Sequence, residues 1–224
     1  ASPYKCGLHA LNATTGTPEW FFNPSKVQQR GGANEHGSNS STLGRGVITT
    51  STTRVAFSNI RDKLYFVTTA GPQPQPGQNP SPKAYALDAF TGVESWHSLP
   101  LTSGSSNCYN PTVALVGDFE IVFVPCPHSL SGGSLLALNA ANGQQLWNYS
   151  GASVTTGQDR GVYVAPVLSL DNTKLYTANN NNVDALDSMS GTLLLRFHDP
   201  APSGAYAGVG HSRPVLSLDG ASLW

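Results

Sequence analysis

The chain has 224 residues, enough for one large domain or two small ones and for a sizeable core. Only 11% of it is charged (12 Lys+Arg, 13 Asp+Glu, net −1), and it holds 4 Trp, 8 Tyr and 8 Phe. This excludes a disordered chain and the broad basic surface that nucleic-acid binding requires. With 23 Gly, 16 Pro, a single Met and few Lys or Glu, the staple residues of helices are missing, so a helical bundle or coiled coil is excluded as well.

No basic-then-apolar leader opens the chain at ASPYKC, so any leader is expected to have been removed. No apolar run reaches the roughly 18 residues of a membrane span; Ile121 to Cys126 has the length of a strand. Four segments then share one pattern: ALNATTGTPEW from Ala10, ALDAFTGVESW from Ala86, ALNAANGQQLW from Ala137 and ALDSMSGTLLL from Ala185. Their glycines, Gly16, Gly92, Gly143 and Gly191, lie 76, 51 and 48 residues apart. A second motif keeps step with the first: PVLSLDNTKLY begins at Pro166 and PVLSLDGASLW at Pro214, again 48 residues later. Two motifs on one period mark a repeat architecture.

Each unit reads as four short antiparallel strands, in the third unit Pro111 to Val116, Phe119 to Val124, Ser134 to Asn139 and Gln145 to Tyr149. Asp171-Asn172 and Asp219-Gly220 sit between apolar runs, where two-residue hairpin turns are expected. In the Asp/Asn-x-x-x-Gly segments the side chain of Asn12, Asp88, Asn139 or Asp187 caps the turn, and glycine supplies a positive φ. A four-stranded sheet that is apolar on both faces must stack on its neighbours, and a period of this length predicts an all-β propeller. The predicted organisation is a partial blade over 1–26, blades over 27–100, 101–150 and 151–200, and a partial blade over 201–224. Two insertions lengthen the first spacing: Lys26 to Gly46 is polar and glycine-rich, and Gly71 to Pro82 is proline-rich. Loops of this kind sit on a propeller rim, where they either meet a partner or stay solvated.

The pattern A-x-D-x-x-T-G-x-x-x-W resembles the tryptophan-docking motif of quinoprotein-like (PQQ-like repeat) β-propellers. Ala86, Asp88, Thr91, Gly92 and Trp96 match it in full; Asn12, Asn139, Asn142 and Ser190 are polar variants, and Leu195 stands at the last tryptophan position. The resemblance implies that Trp20, Trp96 and Trp147 pack between blades. It also implies an enzymatic alternative, a quinone- and calcium-dependent alcohol or sugar dehydrogenase, for which Glu35, Asp159 and the run Asn179 to Asn182 are the candidate ligands and base. The adjacent cysteine pair of many such dehydrogenases is absent, and Asp88, Asp171, Asp187, Asp219 and Asp118 fall in turns. The six histidines (His9, His36, His97, His128, His198 and His211) lie apart, without metal-ligand spacing. No catalytic elbow, P-loop or His-Glu-x-x-His occurs.

The reading is therefore a non-catalytic scaffold without cofactor, docking protein partners at its rim, with the PQQ–calcium dehydrogenase and a carbohydrate-binding propeller as alternatives. Asn12, Asn39 and Asn148 begin glycosylation tripeptides, in keeping with a secreted, cell-surface or periplasmic protein. Cys108 and Cys126 flank a hairpin whose turn centres near Gly117-Asp118. A two-residue turn sets Tyr109 opposite Cys126, and a three-residue loop sets Cys108 there. Either brings the sulfurs within reach of a disulfide, with two free thiols as the alternative. Cys6 then lacks a partner, and the chain stops part-way through a strand. Since members of the family carry seven or eight blades, the expectation is a piece of a larger protein, with a closed four-blade ring as the rival.

Overall fold

The computed structural model describes residues 8–23, 55–58, 60–68, 81–101, 108–126, 134–150, 164–179, 182–198 and 214–222. Among them there is no helix. The first blade contributes β1 (Leu8–Leu11) and β2 (Pro18–Phe22). The second holds β3 (Ala56–Phe57), β4 (Lys63–Val67), β5 (Ala84–Asp88) and β6 (Glu94–His97), and the third β7 (Thr112–Val116), β8 (Phe119–Cys126), β9 (Ser134–Asn139) and β10 (Gln145–Ser150). The fourth holds β11 (Val167–Leu168), β12 (Lys174–Asn179), β13 (Asn182–Asp187) and β14 (Leu193–His198). Each of these three sheets is four-stranded, with its strands paired in chain order. Residues 214–222 begin a fifth unit, with a single bridge residue at Leu216. The fold is an all-β propeller with three complete blades and two partial ones.

The core lies between blades, and period-2 geometry puts it there. In β4, Leu64 and Phe66 join Phe22, Tyr85 and Leu87 in the layer against the first blade. Tyr65 and Val67 point the other way and join Trp96, Val122, Val124, Leu136 and Leu138 against the third. In β8 the same alternation sends Ile121 and Phe123 to the layer shared with Leu175 and Leu186 of the fourth blade. Such strands read as continuous apolar runs because both faces are buried.

One irregularity recurs at the same place in every blade. The pairing of the last two strands shifts at Ala10/Leu11, Ala86/Leu87 and Ala185/Leu186, and between Gln145 and Trp147 in the third blade. The extra residue is Glu19, Ser95, Leu146 or Leu194, and the tryptophan after it pairs with the alanine of the motif (Ala10↔Trp20, Ala86↔Trp96, Ala137↔Trp147). A bulge re-aims the side chain that follows it, and a small residue opposite leaves room for an indole.

The hairpin between β11 and β12 departs from the expected two-residue turn. Leu168 pairs with Leu175, and Ser169 N donates to Lys174 O at 2.9 Å, so residues 170–173 form a four-residue loop. Asp171 is bonded by Ser169 Oγ (2.6 Å) and Thr173 N (3.1 Å), while Asn172 takes the left-handed conformation (φ 58°). Residues 217–222 repeat this loop, with Ser217 N donating to Ser222 O and Gly220 in the left-handed position. Serine two residues before the aspartate competes for the turn, and the longer loop satisfies both side chains.

The third blade does have a two-residue turn. Val116 pairs with Phe119, Tyr109 N donates to Pro125 O, and Cys108, one residue past that register, is disulfide-bonded to Cys126.

Candidate functional site

The repeat motif builds a relay of docked tryptophans. Trp20 Nε1 donates to Ala89 O of the second blade (3.2 Å), Trp96 Nε1 to Ala140 O of the third (2.9 Å), and Trp147 Nε1 to Ser188 O of the fourth (3.3 Å). Each indole lies over the glycine of the turn it reaches. A Cβ on Gly143 would sit 2.5 Å from Trp96 Cε3, and φ there is +73°, so the residue must be glycine on two counts. Gly92 lies under Trp20 and Gly191 under Trp147 in the same way. At Gly16, by contrast, no atom of the described residues lies within 4 Å of the Cβ position, and Leu195, at the last tryptophan position, is exposed.

The turns that receive the indoles are shaped by Asp88, Asn139 and Asp187, and the Gly16 turn is shaped by Asn12. Asp88 Oδ1 accepts from Phe90 N, Thr91 N and Thr91 Oγ1, and Asp187 Oδ1 from Ser190 N and Oγ. The Thr91 and Ser190 hydroxyls hold these carboxyls below the usual aspartate range. Asn139 Oδ1 accepts from Ala141 N alone, and Asn12 Oδ1 from Thr14 N and Thr15 N.

Two buried carboxylates fasten the blades a second time, and nothing in the repeat points to either. Glu120, on β8, accepts from Ser58 Oγ at 2.8 Å and faces Arg61 Nε at 3.5 Å, both residues of the second blade. The Tyr65 hydroxyl has Glu120 Oε2 at 3.2 Å and Ala140 O at 3.3 Å as acceptors for its one proton. Burial, and then the Glu120 charge, push the Tyr65 phenol above its ordinary value. Asp184, on β13, is bound by Arg196 of its own blade through Nε (2.7 Å) and Nη2 (2.9 Å), and by the Tyr149 hydroxyl of the third blade (2.8 Å). The bond to Asp184 raises the Arg196 guanidinium, and burial raises the Tyr149 phenol.

The other nominated residues are scattered. Glu35, Asp159, Asn39, Cys6, His36, His128 and His211 lie outside the described residues, as do Lys26 to Gly46, residues 71–80 and the middle of the Asn179 to Asn182 run. Asn182 is buried at the start of β13. Asn12 is committed to its turn and donates to Glu19 Oε1, whereas Asn148 is exposed on β10. His9 rests on the Phe21 ring, and His97 Nδ1 lies 2.7 Å from Glu94 Oε1. Asp118 is in the Gly117-Asp118 turn. The quinone–calcium site that the resemblance implies has its nominated Glu35 and Asp159 outside the described residues. No three His, Cys, Asp or Glu side chains converge among them, and the two buried carboxylates are already bound by hydroxyl and guanidinium groups. Trp20, Trp96 and Trp147 are taken up in covering glycine turns.

A family profile described as outer membrane protein assembly factor BamB matches residues 5–216. No protein of curated function matches the sequence significantly. Among solved structures, BamB from Moraxella catarrhalis is similar over 97% of this chain and 55% of its own, at a TM-score of 0.54 and 18% identity. The quinohemoprotein alcohol dehydrogenase from Comamonas testosteroni is similar over 85% of this chain and 32% of its own, at 0.58 and 16%. Raptor from Chaetomium thermophilum aligns at 0.50 and 8%, over 69% of this chain and 13% of its own. At such identities the likeness is one of fold. The chain spans about half the length of the BamB structure and a third of the dehydrogenase.

Proposed function

The chain belongs to the PQQ-like-repeat β-propeller family described as outer membrane protein assembly factor BamB, and we propose that it is a non-catalytic scaffold that docks protein partners outside the cytoplasm. The observation that carries this reading is the employment of its buried polar groups. Glu120 and Asp184 are the buried carboxylates among the described residues, and both hold blades together. A general base must be within reach of substrate, and a calcium ligand must have lone pairs left for the cation; neither carboxylate meets this condition. The Cys108–Cys126 disulfide supports an oxidising compartment, since such bonds are rare among cytosolic proteins.

The test is reconstitution with pyrroloquinoline quinone and calcium. The scaffold reading expects no stoichiometric quinone absorbance and no dye reduction with alcohols or sugars. Bound quinone with turnover overturns it in favour of the dehydrogenase.

A further inference from the structure

Chain direction alternates in each blade, so the turn joining its first two strands and the turn joining its last two lie at the same end. Backbone bonds tie each pair: Ala89 N donates to Asp62 O (2.9 Å), Ala140 N to Glu120 O (3.0 Å) and Ser188 N to Thr173 O (3.0 Å). Neighbouring blades keep these ends level. Asn172 Nδ2 donates to Leu115 O at 3.0 Å, and Leu170 packs on Gly220 of the next unit. One face of the propeller is thus made of short turns.

Tight turns are ordinarily polar at their tips. These carry large apolar side chains in solvent: Ile60 is 51% exposed, Phe90 74%, Leu170 68%, Met189 42% and Leu218 99%. None is needed to form its turn, since the bonds that shape the turns come from Asp, Asn, Ser and Thr. A run of such tips is the kind of surface that partners cover.

The same turns hold Asp62, Asp88, Asp118, Asp171, Asp187 and Asp219, against Arg61, Lys63 and Lys174 among the described residues. Arg61 is turned toward buried Glu120. Asp88, Asp171, Asp187 and Asp219 use Oδ1 within their turns, and Oδ2 has no hydrogen-bond partner among the described residues. The face therefore combines apolar knobs with outward negative charge.

We infer that this turn face is a docking surface for a basic protein segment carrying apolar anchors. Lysine or arginine side chains of the segment meet the aspartates, and its aromatic or aliphatic side chains pack among Phe90, Ile60 and Leu170. Charge complementarity selects this occupant: an acidic segment or an anionic lipid surface would be repelled. The inference rests on the scaffold reading above and names the partner class and the face.

The probe is a synthetic peptide of alternating Lys and Phe, beside Glu/Phe and Lys/Ser peptides of equal length, with amide exchange of the whole chain to place the binding. The Lys/Phe peptide should bind tightest, weaken with salt, and slow exchange at residues 60–63, 88–92 and 187–191. Asp62→Asn with Asp118→Asn, whose side chains hold no turn bond among the described residues, should lower affinity about three- to tenfold, as rim charges do. Phe90→Ala should lower it about tenfold, as truncation of an exposed anchor does. Both variants should melt like the parent. Equal binding of the Glu/Phe peptide, no binding by any peptide, or self-association that covers these turns overturns the inference. Exchange protection confined to the outer strands also overturns it while leaving the scaffold reading standing. Quinone turnover removes the scaffold reading whatever the peptides do.

Discussion

The interface between the second and third blades and the one between the third and fourth share a docked tryptophan and a buried carboxylate, and differ in how each is held. At the former, Trp96 is 8% exposed and bonds Ala140 O at 2.9 Å; at the latter, Trp147 is half-buried and its bond is 3.3 Å. Glu120 takes its hydroxyl donors and its cation from the blade opposite, so its charge is balanced across the interface. Asp184 takes its cation from Arg196 of its own blade, and the neutral Tyr149 hydroxyl reaches it from the third. The Cys108–Cys126 bond also lies in the layer with Trp96. The repeat supplies a common joint, and each blade adds its own fastening.

The sharpest way to break this comparison is to remove the indoles. Trp96→Ala deletes a buried aromatic and should cost about 3–5 kcal/mol. Trp147→Ala and Trp20→Ala, whose rings are half-buried, should cost distinctly less. Urea unfolding of the three variants checks the order, and equal losses would show the joints to be equivalent.

Removing the disulfide comes next. The bonded cysteines are 18 residues apart, and opening a loop of that size should cost about 3 kcal/mol in the chain-entropy account. The effect should be local to the second interface, with amide exchange rising in β7 and β8 more than in β12 and β13. A uniform rise would mean that the blades unfold as one unit.

Smaller again are the carboxylate fastenings. Glu120→Gln leaves the Ser58 and Tyr65 hydroxyls imperfectly matched at a dry site, a loss of about 1–3 kcal/mol. Tyr149→Phe removes two bonds, the one donated to Asp184 Oδ2 and the one accepted from Arg196 Nη2, and leaves the Arg196–Asp184 pair intact, a loss of about 1–2 kcal/mol. Should Tyr149→Phe prove the costlier change, the cross-blade balance assigned to Glu120 is wrong.

What could be read from the sequence divides along the same line. The tryptophan joint was legible because its parts, alanine, aspartate or asparagine, glycine and tryptophan, lie within eleven residues and recur. The disulfide was legible because hairpin register is arithmetic on neighbouring residues, although only the structure chose the two-residue turn. Glu120 and Asp184 escaped because their partners are distant or unrepeated: Ser58 and Tyr65 are 62 and 55 residues from Glu120, and Tyr149 is 35 from Asp184. The position of Asp184 holds Tyr85 and Leu136 in the two preceding blades, so a repeat comparison reads it as variation. A sequence signal did exist for Glu120, the one charge inside the otherwise apolar FEIVFVPC of β8, whereas Asp184 shares NVDALD with Asn182 and Asp187. The four-residue hairpins were missed because they depend on competition between local side-chain bonds, which composition does not rank.

Acid separates the third and fourth blades by their turns. The fourth has Asp171 and Asp187, both held below the ordinary aspartate value, Asp171 at about 2 through the Ser169 hydroxyl and Asp187 through that of Ser190. The corresponding residue for Asp187 in the third blade is Asn139, which does not titrate in this range. A carboxyl depressed by folding contributes stability above its unfolded value, near 3.8, and loses it as pH falls through the folded one. Between about pH 4 and 2, then, the turns of the fourth blade should loosen while that of the third keeps its bonds. Both carboxylates are exposed, so the effect belongs to the turns and not to global unfolding. Amide chemical shifts report it directly: Thr173 and Ser190, which donate to these carboxylates, should titrate, and Ala141, which donates to Asn139, should not. Asp187→Asn should flatten the Ser190 titration and leave that of Thr173 in place. Parallel movement of Ala141 would mean that acid acts on the joint common to the blades, and the distinction between a shared dock and blade-specific fastenings would fail at the turns.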